Sequence, residues 1–141
     1  MGELSAFLMS NADRVENISF VASERFSDDE GPIHWEIRCV SSAEDEGLRR
    51  ACIKRVPSGR GKGMYTNETD INLYLGKLAA LCTVRPDLND SSLQDSYSVM
   101  GADSLLKAML TPGEYEDYLA RVQEICGFDR SFSELVDEAK N

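Results

Sequence analysis

From Thr111 to Gly127 the chain specifies both ends of a helix and the face it must bury, which constrains any fold the remainder can adopt. Thr111 is a helix N-cap, Pro112 takes the first helical position, where no N–H is needed, and Glu114 completes a capping box. Tyr115, Tyr118, Leu119, Val122 and Cys126 recur at helical spacing on one face, and Gly127 is placed to stop the helix. A stripe of that kind needs a surface to cover it, so the segment predicts a helix packed into a core.

Other helix signals precede it. Ser41 with Glu44 and Asp45 opens a helix whose modest inner stripe is Leu48, Ala51, Cys52 and Val56, closed by Pro57. Thr69 is the expected cap of a helix with Ile71, Leu75, Leu78 and Cys82 on its inner line, widened by Tyr74 and Leu81 and closed by Pro86. Asp90 or Ser91 caps a short helix with Leu93 and Tyr97, Gly101 breaks it, and Ala102 to Leu110 follows with Leu105, Leu106, Met109 and Leu110. Weaker signals predict a helix over Glu3 to Met9, with Leu4, Phe7 and Leu8 inward, and a last one from Ser131 through Val136. Between residues 18 and 40 the period changes to two. Ile18, Phe20 and Ala22 form one strand face, Ile33, Trp35, Ile37 and Cys39 another, joined by a turn of about five residues at Asp28 to Pro32. A hairpin with a tryptophan face needs helices to cover it. The expected fold is therefore α+β: a predominantly helical single domain over 1–141, with an N-terminal β-hairpin at about residues 18–40 packed on about five helices.

Charge narrows the function. The net charge of −10 disfavours nucleic acid as a partner, because phosphate binding needs a positive field. The charge is segregated. Residues 1–46 carry 11 acids and 3 bases, residues 47–86 carry 2 acids and 8 bases, and residues 87–141 carry 12 acids and 4 bases. The basic island is densest from Gly47 to Lys62, where no acid occurs. Two readings compete for it: pairing with acidic flanks of the same molecule, or a head-to-tail contact with another subunit through Arg49, Arg50, Arg60 and Lys62. No apolar run approaches a membrane span, and no basic-then-apolar leader opens the chain, so neither membrane nor secretion is expected.

The residues offer little chemistry. Cys39, Cys52, Cys82 and Cys126 are far apart in sequence, which argues against a zinc site and suits reduced, partly buried thiols. His34 is the sole histidine and sits in a strand, where an edge side chain is the ordinary outcome. Ser58 to Gly63 (SGRGKG) is a glycine-rich connector that fails the phosphate-loop pattern, since Lys62 is followed by Gly63 in place of Ser or Thr. No nucleophile motif or paired acid and base is present, so an enzyme is disfavoured and no catalytic residue, cofactor or metal is expected. Tyrosine and methionine are enriched where proteins meet, which makes Tyr97, Met109, Tyr115 and Tyr118 the candidates for a partner groove.

The wording of the chain carries a resemblance. Phe20 to Phe26 (FVASERF), His34 to Arg38 (HWEIR), Lys54 to Pro57 (KRVP), Tyr74 to Leu78 (YLGKL), Leu93 to Tyr97 (LQDSY), Val99 to Ala102 (VMGA) and Met109 to Tyr115 (MLTPGEY) resemble, in order, the tail assembly chaperones of contractile-tailed prophages and defective phages of Gram-positive bacteria. The resemblance implies a non-catalytic homo-oligomer in the host bacterial cytoplasm, which binds the tape measure protein, brings tail tube subunits to it and is absent from the finished tail. A structural tail or baseplate-adjacent virion protein is the alternative. The resemblance also implies a longer product made by programmed frameshifting, for which Ala139-Lys140-Asn141 is a suitable site, since GCA-AAA-AAC encodes it and contains a slippery heptamer.

Overall fold

A computed structural model describes residues 2–128. The element order is a 3-10 turn (Glu3–Phe7), β1 (Ile18–Phe20), β2 (Ser27–Asp28), β3 (Gly31–Pro32), β4 (Trp35–Ile37), α1 (Ser42–Ala51), β5 (Ile53–Pro57), β6 (Tyr65–Thr69), α2 (Ile71–Cys82), β7 (Thr83–Arg85), α3 (Ser91–Ser96), α4 (Ala102–Met109) and α5 (Pro112–Ile125). The helix expected from Ser131 through Val136 lies outside the described residues.

The expected hairpin pairs Ile18 with Ile37 and Phe20 with Trp35, and β7 adds to the other side of β4, making a three-stranded antiparallel sheet in the order β1, β4, β7. Alternation sends Trp35 and Ile37 inward, where both are buried, and leaves Glu36 between them on the other face. The connection is longer than the expected five residues. Asp28 to Gly31 is the tip of a small secondary hairpin, β2 with β3, closed over Asp29 and Glu30.

Helix α2 is the central rod, touching α1, α4, α5 and β7. Its buried residues are Tyr74, Gly76, Leu78, Ala79, Ala80 and Cys82. A Cβ at Gly76 would stand 2.8 Å from the Tyr115 hydroxyl oxygen, so glycine here allows α5 to seat its tyrosine against α2. Leu105, Leu106 and Met109 of α4 and Tyr118 and Val122 of α5 fill the rest of the core. The Thr111 capping box is formed as read: the Thr111 hydroxyl accepts from the Glu114 N–H, and the Glu114 carboxylate accepts from the Thr111 N–H at 2.9 Å. Gly127 adopts a φ of 79° just beyond the helix.

Four local expectations are corrected. Helix α1 stops at Ala51, and Ile53 to Pro57, including Val56, is a strand, because two β-branched residues suit a pleated strand. Ser58 to Met64 is the turn of the β5–β6 hairpin, where Gly59 and Gly63 supply φ values of 78° and 82°. Asp70, not Thr69, caps α2, its carboxylate accepting from the Leu73 N–H at 3.3 Å. The N-terminal segment is a five-residue 3-10 turn without a side-chain cap, too short to lay a face on the core, so Leu4, Phe7 and Leu8 point outward.

Glu44 closes the capping box of α1 and pairs with Arg38 at 3.0 Å; the hydrogen bond from Arg38, followed by that from the Ser41 N–H, holds its carboxyl down at about 2. A depressed carboxylate stabilises the fold above the ordinary carboxylate range and loses that contribution as pH falls through the folded value. Because the pair is largely solvated, Glu44→Ala is expected to cost about 1 kcal/mol at neutral pH, the worth of a cap. In urea melts the difference from the parent chain should shrink as pH falls from about 4.5 to about 2.

The buried Tyr115 hydroxyl has no hydrogen-bond partner among the described residues. Tyr115→Phe is thus expected to leave stability unchanged or raise it by up to about 1 kcal/mol. Gly76→Ala should lower stability by about 1–2 kcal/mol through overpacking, despite the better helix propensity of alanine, and Tyr115→Phe should restore most of that loss in the double variant. A double variant as unstable as Gly76→Ala alone, by thermal melting, would refute the proposed contact.

Candidate functional site

The features that stand apart from the core are a basic hairpin and an apolar N-terminal segment. Cys52 is buried at the end of α1 and accepts from the Asp70 N–H at 2.7 Å, which pins the base of the β5–β6 hairpin. Beyond that clasp Ile53 pairs with Thr69 and Pro57 with Tyr65, yet neither strand contains a buried residue. A ribbon exposed on both faces draws no stability from a core, only from its ladder and cross-strand contacts. Lys54 lies 3.8 Å from Glu68, and the Arg55 guanidinium sits 4.3 Å from the Tyr65 ring centroid. Ile53, Met64 and Tyr65 are exposed along the same ribbon, and Arg60 and Lys62 at its tip make no ion pair among the described residues.

The hairpin context rules out the phosphate-cradle geometry for Ser58 to Gly63, because a strand follows the loop where a phosphate loop would lead into a helix N-terminus. Arg49 and Arg50 behave differently from the tip cations. Arg49 pairs with Asp45 at 3.0 Å, donates to the Tyr74 hydroxyl at 3.3 Å and stacks 4.6 Å from the Tyr74 centroid. The Tyr74 hydroxyl in turn donates to Asp45, and burial followed by that bond raises its pKa. Arg50 pairs with Glu46 at 2.5 Å along the solvated face of α1. Both α1 arginines are thus matched by acids four residues earlier, which fits the intramolecular pairing reading for them.

The N-terminal segment exposes Leu4 (75%), Phe7 (72%) and Met9 (84%), with Leu8 and Val15 also exposed. Its shape is set locally: Asn11 donates to the Ser5 carbonyl at 2.8 Å, and the Ala12 N–H to the Leu8 carbonyl at 2.8 Å. Near its end Asp13, Glu16 and Glu36 line a shallow acidic hollow together with Arg14, Val15 and Asn17.

The four side chains expected at a partner groove lie in or against the core. Tyr118 (0% exposed) and Met109 (4%) lie inside the core, and Tyr97 and Tyr115 are half-buried against it. Their spacing marked them correctly as inward residues, and the amphipathic character of tyrosine made them look like interface residues. The exposed apolar set at Leu4 to Met9 departs from the expected inward face because a helical period marks burial only where the helix is long enough to pack. His34 is an exposed residue just before the central strand β4, its Nδ1 3.0 Å from the Ser19 hydroxyl. No helix of the described residues is long and apolar enough to cross a membrane.

Comparison with known proteins accords with this architecture. The chain is 27% identical to the phage-like element PBSX protein XkdN of Bacillus subtilis (strain 168), over 99% of its own length and 94% of that protein. It is also 27% identical to the protein YqbN of the same strain, over 99% of its length and 93% of YqbN. The crystal structure of YqbN superposes with a TM-score of 0.76 at 22% identity, covering 92% of this chain and 99% of the other, which establishes a shared fold. Residues 4–140 match the family described as phage XkdN-like tail assembly chaperone protein, and the chain belongs to that family.

Proposed function

We propose that the chain is a non-catalytic tail assembly chaperone of the host bacterial cytoplasm. It binds the tape measure protein, keeps that partner's apolar helices apart, brings tail tube subunits to it and is absent from the mature tail. The observation that carries this reading is the group of large apolar side chains that the core leaves in solvent, Leu4, Phe7, Leu8 and Met9, on a chain of net charge −10. Exposed apolar clusters favour an apolar partner surface, while a large like charge keeps the loaded complex soluble.

Self-association belongs to the tip of the β5–β6 hairpin. Arg60 and Lys62, flanked by exposed Met64, complement the acidic hollow of Asp13, Glu16 and Glu36 beside exposed Val15, giving a head-to-tail contact between copies. Arg49 and Arg50 contribute less, since intramolecular acids already hold them.

Co-expression with the tape measure protein is expected to yield a co-purifying complex. Phe7→Ser with Leu8→Ser should weaken it about tenfold or more, with no loss of melting temperature because both side chains are exposed. Absence of the complex would refute the reading, and stoichiometric protein in purified tails would favour a structural virion component. For self-association, Arg60→Glu with Lys62→Glu should reduce the sedimenting mass at low salt, where charge complementarity is least screened. An unchanged mass would remove the hairpin from the contact.

A further inference from the structure

The cysteines, distant in sequence, are not distant in space. Cys39 follows β4, Cys82 is the last residue of α2, and Cys126 caps the end of α5; the Cys82 and Cys126 sulfurs stand 3.9 Å apart. Cys39 lies near enough to influence the ionisation of Cys126, and its thiol donates to the Val40 carbonyl at 3.3 Å. All three are free thiols, as is Cys52, which is buried and outside the group. Among the described residues no three His, Cys, Asp or Glu side chains are placed to hold a metal ion, so the group is considered as thiol chemistry.

We propose that Cys126 and Cys82 form a peroxide-sensitive dithiol site, in which Cys126 is oxidised first and Cys82 closes an intramolecular disulfide. Accessibility sets the order. Cys82 is wholly buried, whereas Cys126 is partly exposed. The contact with Cys82 favours the Cys126 thiolate, partly opposed by burial, while the same Cys82–Cys126 contact, and then burial, raises the Cys82 pKa. The C-terminal end of α5 opposes a thiolate at its cap, so that contact supports the order without deciding it.

In the first step the Cys126 thiolate attacks one oxygen of hydrogen peroxide. The O–O bond breaks, sulfur is oxidised to the sulfenic acid, and the leaving hydroxide takes up a proton as water. In the second step the Cys82 sulfur attacks the Cys126 sulfur. The S–S bond forms, the S–O bond breaks, and the departing hydroxide leaves as a second water with the Cys82 proton. Two thiols are oxidised and one peroxide is reduced to two waters. The sulfurs must close from 3.9 Å to about 2.05 Å, and Cys126 stands at the helix end next to Gly127, whose φ is 79°. The product staples the end of α5 to the end of α2, which are 44 residues apart, and a thiol reductant reverses it.

The test treats the full-length chain with hydrogen peroxide at neutral pH, alkylates the remaining thiols and maps peptides by mass spectrometry. Trypsin separates all four cysteines, since a cleavable Lys or Arg lies between each consecutive pair. The expected product is a Cys82–Cys126 cross-linked peptide pair that dithiothreitol reverses, with a melting temperature higher by about 5 °C or more. Cys52→Ala should retain the cross-link and Cys126→Ala should lose it. Cys82→Ala should leave a Cys126 sulfenic acid that dimedone captures, which keeps the order of events testable even where the disulfide cannot form. A cross-link between any other pair, a disulfide between two chains, or an unmodified Cys126 would overturn the proposal.

Discussion

The contact on which the body of this protein depends is made by Tyr118. Its ring meets Trp35 edge-on at 5.3 Å, with Phe20 at 6.2 Å, so α5 covers the inner face of the sheet through an aromatic triad. Its hydroxyl lies 2.6 Å from the Thr83 hydroxyl, which donates its own proton to the Ala79 carbonyl at 2.7 Å; Tyr118 must therefore be the donor to Thr83. One side chain thus joins α5, the sheet and the last turn of α2, and its single polar atom is satisfied at complete burial. The expected use of Tyr118 as a partner-binding residue and its actual use share one cause. A tyrosine suits any place where an apolar surface ends at a hydrogen-bonding atom, and here that place is internal.

Legibility follows the same physics. The α5 capping box, its buried face and its glycine stop were readable because each depends on residues within one or two turns of one another. The pairing of β1 with β4 was readable from alternation, and Trp35 gave that face its direction. Strand β7 was not, because Thr83–Arg85 is too short to show a period and its partner lies far away in the chain. Strand β5 was absorbed into a helix because a helical run leads straight into it. What turns the chain at Cys52 is a clasp to Asp70 that no local pattern reveals. The convergence of Cys39, Cys82 and Cys126 escaped for the same reason: it is a property of how α2, α5 and the sheet meet.

The candidate surfaces were the least legible, and their logic is the inverse of the core's. Periodicity identifies residues that a fold will bury, so it assigned Leu4, Phe7 and Leu8 to the interior and had nothing to say of a ribbon whose two faces are both exposed. Charge segregation was the better guide. It located the basic island, and the structure then divides that island into arginines on α1 that are matched by acids one turn earlier and tip cations that have no acid partner among the described residues.

That division bears on how a chain with exposed apolar residues avoids indiscriminate aggregation. Apolar attraction is non-directional, and a segment such as Leu4 to Met9 alone would bind any comparable surface. A net charge of −10 repels unoriented encounters between copies, and in the proposed head-to-tail contact the cations at the hairpin tip would favour one approach, toward an acidic surface. The constraint acts on the geometry of encounter more than on its strength, since solvated pairs contribute little affinity and weaken with salt. Affinity must then come from apolar burial once a partner has been oriented. Under the proposed function that separation matters, because orientation would depend on charge whereas retention would depend on how much apolar surface the partner still offers.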